Sequence, residues 1–154
     1  MVMQEEMESL YMNETWELCD LAKGHHALMA KWVYKRKKGI ARVKDARWKA
    51  WLFVRGCNQK EGIDFNEVFS PVVRHTSIRM LLAFVPLFDL KLEQLDMKTA
   101  FLHGELEEEM YMRQPEGFTV PERKNYVCCL KKSLYGLKQA LWQWYTRFDA
   151  IMTG

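Results

Sequence analysis

The sequence predicts an α+β fold with an antiparallel sheet and packing helices, on three observations. Apolar residues recur at helical spacing near both ends of the chain, two runs rich in aromatic and branched residues flank a basic segment, and short strand-like runs follow a central helical stretch. In order, the elements are helix, hairpin, helix, strand, hairpin-like strands and helix, which is an α+β arrangement.

The first dozen residues place Met3, Met7, Leu10 and Tyr11 at helical spacing among glutamates, and Asn13 supplies a stop. Residues 30–35 and 47–55 read as the two strands of a β-hairpin joined through a basic segment containing Gly39. Gly56, residues 62–65 and Ser70-Pro71 mark an irregular connection. From Thr76, a suitable N-cap, Ile78, Leu81, Leu82 and Val85 repeat on one helical face. Pro86 removes a backbone hydrogen bond and clashes with the preceding turn, at about 3 kcal/mol inside a helix, so this helix is expected to end or kink near Val85. Leu90 and Leu92 then alternate into Leu95-Asp96-Met97, predicting a buried strand that surfaces at Asp96. Glu105 to Glu109 reads as an acidic turn, Met110 to Met112 as a short strand, 117–124 as a loop and Tyr126 to Leu130 as another strand. Leu137, Leu141, Trp144, Tyr145, Phe148 and Ile151 give the last helix a strong apolar face.

With 154 residues, 49% of them hydrophobic and 13% aromatic, the chain can bury a real core and is not a disordered polypeptide. One domain or part of one is expected. The net charge of +3 creates no overall field that demands nucleic acid, so local clusters must carry that argument. The densest, Lys35-Arg36-Lys37-Lys38 with Arg42, Lys44, Arg47, Lys49 and Arg55, puts nine of the 23 basic residues within 21 positions. It suits either a phosphate-tracking surface or a solvated hairpin. Cys19, Cys57, Cys128 and Cys129 have no Cys-x-x-Cys spacing, and the histidines do not complete a zinc pattern, so a reduced, intracellular protein without zinc is expected. The N-terminus is acidic where a signal peptide needs a basic region, and no run reaches the roughly 18 apolar residues of a membrane span. No membrane partner is expected.

One stretch points to a particular chemistry. Asp96 stands at a strand end, five residues before Phe101. A carboxylate so placed serves as an oxygen ligand for a hard cation or caps the following turn, and spacing alone favours the cap. Phe101 is a pocket floor or a core residue on the same terms, and the glutamates at 105 and 107–109 read as a solvated surface rather than as ligands.

The stretch 94–106, together with Tyr111-Met112-Arg113-Gln114-Pro115-Glu116-Gly117-Phe118 and Ser133-Leu134-Tyr135-Gly136-Leu137-Lys138-Gln139-Ala140, closely resembles the Ty1/copia-type retrotransposon reverse transcriptase. Trp16, Lys31-Trp32-Val33-Tyr34, residues 62–65 and Phe69-Ser70-Pro71-Val72-Val73-Arg74 extend the likeness over nearly the whole chain. The resemblance implies an RNA-directed DNA polymerase, a nucleotidyltransferase of a transposable element, represented here by a fingers hairpin at about 28–75 and the first part of the palm at about 76–154. It makes Asp96 the first metal-binding aspartate, with the carbonyl of Met97 facing Mg²⁺, and Phe101 the aromatic gate of the sugar pocket. Lys49, Tyr135, Gly136 and Lys138 become nucleotide-binding residues, and Lys35, Arg36, Lys37 and Lys38 a nucleic-acid surface.

The implied partners are an RNA or DNA template-primer, a dNTP, and the rest of a polyprotein comprising integrase, the remaining palm and ribonuclease H. The resemblance also marks departures. No Asp-Asp pair follows Leu130, Trp51 stands where the family carries an arginine, and Gln139-Ala140 continues into Leu141-Trp142 rather than Pro-Arg. An indole cannot replace a guanidinium as a phosphate clamp. The expectation is therefore a reverse transcriptase fragment cut before its Asp-Asp turn and inactive by itself, with a non-catalytic nucleic-acid-binding or assembly module as the alternative.

Overall fold

The computed structural model describes residues 2–39, 45–66, 70, 72–94, 97 and 99–154. Helix α1 (Val2–Met12) buries Met7 and Leu10, as the spacing of those residues predicts. It stops where expected: the Asn13 side-chain amide donates to the Ser9 carbonyl at 2.7 Å, and Glu14 takes a positive φ of 50° that no helix continues through.

Among the described residues, six strands follow: β1 (Trp16–Cys19), β2 (Ala27–Leu28), β3 (Ala30–Lys37), β4 (Arg47–Val54), β5 (Glu105–Arg113) and β6 (Val127–Lys132). Strands β3 and β4 form the expected hairpin, in register from Ala30 opposite Val54 to Lys37 opposite Arg47. The other four form a sheet in the order β1-β6-β5-β2, antiparallel except for the two-residue parallel pairing of β2 with β5. One core serves both sheets: Leu52 and Val54 from the hairpin meet Met110, Met112, Cys128 and Leu130 from the larger sheet, with Met7 and Leu10 of α1. The chain is thus an α+β structure of helices and mainly antiparallel strands, with α1 packed on β4.

Four local expectations are corrected. The acidic run from Glu105 is the first half of a nine-residue strand, because β6 offers it a pairing edge; the register slips between Glu105 and Met110. Helix α2 (His75–Leu87) begins after Arg74 rather than at Thr76 and carries Pro86 inside its last turn. There the missing N–H removes one bond, Phe88 still donates to the Phe84 carbonyl at 2.9 Å and Leu90 to that of Val85 at 2.9 Å, and the helix ends at Leu87, close to the expected end near Val85. Residues 90–94 are irregular rather than a strand, with Leu90 and Leu92 exposed. Alternation marks an apolar face, but a strand also needs a partner for its backbone groups, and the described strands pair only among themselves. Helix α3 (Ala140–Thr153) forms as its periodicity predicts, yet only Ala140 is buried and Leu141, Phe148 and Ile151 are exposed.

All four cysteines are free thiols. Burial pushes the Cys128 thiol up to about 12, whereas Cys57 is exposed. Since the thiolate is the reactive form, iodoacetamide at pH 8 is expected to label Cys57 in the folded protein and Cys128 only after denaturation. Peptide mass mapping with and without guanidinium checks this. Among the described residues, no helix is long and apolar enough to cross a membrane.

Candidate functional site

A cleft of about 400 Å³ opens where α1, the β3–β4 hairpin and the turn ahead of α3 meet. Lys37, Lys49 and Trp51 come from the hairpin, Glu5 and Glu6 from α1, and Met97, Thr99 and Tyr135 close the remaining side. Direct pairing in the hairpin puts Lys35 opposite Lys49 and Lys37 opposite Arg47, so four cations share one face. Like charges directly opposite each other are destabilising, and an anion on that face relieves the repulsion. Lys49 also lies 6.0 Å from the centre of the Trp51 ring, at the outer limit of a cation–π contact.

Tyr135 is held between two aromatic rings. Phe53 stacks on it with centroids 5.4 Å apart and Phe101 meets it edge-on at 4.9 Å. Its backbone is fixed as well: the Val54 N–H donates to the Tyr135 carbonyl at 2.8 Å, which ties the turn to the end of β4. Gly136 follows with a φ of 94°, and a Cβ there would overlap the Val54 carbonyl oxygen; a Cβ on Gly56 would overlap the Gly136 carbonyl oxygen. Two glycines thus let the hairpin and the turn touch backbone to backbone.

A buried amide network locks the same junction. The Lys138 N–H donates to Gln59 Oε1 at 2.9 Å, and Gln59 Nε2 donates to Gln139 Oε1 at 2.9 Å. Gln139 Nε2 in turn donates to the Asp64 carbonyl at 3.1 Å. The Asp64 carboxylate accepts the Lys60 N–H at 2.7 Å and lies 3.3 Å from His26 Nε2. Nothing local in the sequence pairs Gln59 with Gln139; they meet only because the hairpin and the turn converge.

Of the residues singled out in the sequence, Lys49, Met97, Tyr135 and Lys37 line the cleft together. Phe101 supports Tyr135 from behind, and Gly136 forms the contact with β4. Lys138 is turned aside, its ammonium 4.0 Å from the centre of the Phe65 ring. Lys35, Arg36 and Lys38 are exposed on the hairpin. Asp96 lies outside the described residues. Among the described residues, no group of three or more His, Cys, Asp or Glu side chains could hold a metal ion. A second cleft of about 310 Å³, beside Trp142 and Arg147 of α3, holds none of the predicted site residues.

The profile of the reverse transcriptase (RNA-dependent DNA polymerase) family matches residues 13–154 of this chain. The chain belongs to that family, in its copia-type branch. It is 59% identical over 150 residues to the retrovirus-related Pol polyprotein from transposon TNT 1-94 of Nicotiana tabacum, covering 97% of this chain and 11% of the relative. The Pol polyproteins from transposons RE1 and RE2 of Arabidopsis thaliana are 40% and 39% identical, over 93% and 97% of this chain and 10% of each relative. The chain therefore spans about a tenth of the length of the curated relatives it matches. No solved structure matches it.

Proposed function

We propose that this chain is the fingers hairpin (about 28–75) and the first part of the palm (about 76–154) of a reverse transcriptase within a larger Pol polyprotein. Its cleft would receive the triphosphate of an incoming dNTP. The observation that carries this reading is the convergence of Lys49, Met97 and Tyr135, which are far apart in sequence, on one cleft beside a hairpin face with four cations. Lys49 and Lys37 would face the phosphates, Tyr135 would lie under the nucleotide, and Phe101 would set the position of Tyr135. By family resemblance Asp96 and the Met97 carbonyl would hold Mg²⁺; both are oxygen donors, the class that hard cations take. Bound there, the ion would lower the charge on the triphosphate and favour ionisation of the primer hydroxyl.

Only Asp149 follows Asp96 among the aspartates of this chain, and it lies in α3. Nucleotide binding without DNA synthesis is therefore expected of these 154 residues. Titration calorimetry with a dNTP and Mg²⁺ should show binding that weakens about tenfold in Lys49→Ala, the loss expected for one charge-assisted phosphate contact. Unchanged affinity in that variant would remove Lys49 from the site. Template-primed incorporation by the parent that disappears in Asp96→Ala would instead make this chain a polymerase in its own right.

The exposed cations of β3 favour a second reading, a nucleic-acid-binding module without chemistry. RNA binding that falls with salt, survives Asp96→Ala and is lost on neutralising Lys35 to Lys38 would support it.

A further inference from the structure

The face that α1 presents to the cleft is acidic. Val2, Glu5, Glu6 and Ser9 line it at the i, i+3, i+4, i+7 spacing of one helical stripe, while Met7 and Leu10 on another side anchor the helix in the core. Helix α1 lies ahead of the residues that the family profile matches. The cleft thus holds two carboxylates against the two ammonium groups of Lys37 and Lys49, and its own charges nearly cancel.

Resting on the nucleotide reading of this cleft, we propose that Glu5 and Glu6 are its charge-specificity residues: they offset Lys37 and Lys49 and set how much negative charge a ligand may bring in. Glu6 is half-buried where α1 meets the hairpin. Burial raises its carboxyl above the usual range, while the backbone N–H of Leu52 and the charge of Lys49 act in the opposite direction. With these carboxylates on the cleft wall beside Lys37 and Lys49, each added phosphate gains less than the lysines alone would give. An uncharged nucleoside is indifferent to the pair. The consequence is a cleft that disfavours bare polyphosphate and accepts a triphosphate whose charge has been reduced.

The test compares inorganic tripolyphosphate and thymidine as probes, by calorimetry of the full chain at low ionic strength without divalent ions. Glu5→Gln/Glu6→Gln is expected to bind tripolyphosphate roughly threefold to tenfold more tightly than the parent, with thymidine unchanged and the gain shrinking as salt rises. Glutamine keeps an acceptor for the Leu52 N–H. Glu5→Gln alone, at an exposed position, should give a smaller gain in the same direction and is informative even if the double variant fails to fold. Unchanged or weaker tripolyphosphate binding in both variants overturns the proposal. If Lys49→Ala binds tripolyphosphate as the parent does, the nucleotide reading itself has failed and the proposal falls with it.

Discussion

Gly136→Ala is expected to cost about 3 kcal/mol or more, the largest stability loss foreseen for a single methyl group in this chain. Two effects add. The residue has a φ of 94°, where a side chain is strained wherever it points, and its new Cβ would overlap the Val54 carbonyl oxygen. That obstacle is backbone in a paired strand, not the end of a flexible side chain, so relief requires the turn to leave β4. Departure would break the 2.8 Å bond from Val54 to Tyr135 and move Tyr135 off Phe53. Thermal unfolding should show a midpoint roughly 6–12 °C lower, at about 2–4 °C per kcal/mol for a chain of this size. Nucleotide affinity should fall with it. A variant that melts with the parent would mean that the turn is not pressed against the strand as described.

Gln139→Leu is expected to cost about 2–4 kcal/mol although leucine fills nearly the same space. The Gln139 side chain is 2% exposed and its amide both accepts from Gln59 and donates to the Asp64 carbonyl. Removing it strands two buried polar groups, each worth about 1–3 kcal/mol when left without a partner. Adding Gln59→Leu should then cost less than it does alone, because one stranded group disappears with it, although the Lys138 N–H loses its acceptor. Chemical denaturation of both single variants and the double variant measures the coupling. Strict additivity would show that the two amides do not act as a unit.

The elements that could be read from sequence are those whose pattern is local and long. Helix α1, the β3–β4 hairpin and α3 each carry a full period of apolar residues, and each forms close to its expected bounds. Strands β1 and β2 were not foreseen. At four and two residues they are too short to carry a period, and they exist because β6 and β5 offer them edges. The same effect turned the acidic run at 105–109 into strand, while residues 90–94, without a partner strand among those described, stayed irregular.

The site divides in a similar way. Lys49, Met97 and Tyr135, which line the cleft, stood out as candidates because each sits in a short run resembling the reverse transcriptase family, to which the chain belongs. The acidic face of α1 and the Gln59–Gln139 pair were not, since neither lies in a pattern that points to the other residues around it.

By itself, the sequence determined the family, the helical and hairpin segments and the identity of the cations beside the cleft, because these depend on residue type and spacing along the chain. Only the tertiary structure decided that Glu5 and Glu6 face Lys37 and Lys49, that Tyr135 is held between Phe53 and Phe101, and that Lys138 turns away to Phe65. The physical reason is that charge balance and ring packing depend on separation in space. For Tyr135, two glycines allow that approach, because the end of β4 and the turn meet there without a side chain between them.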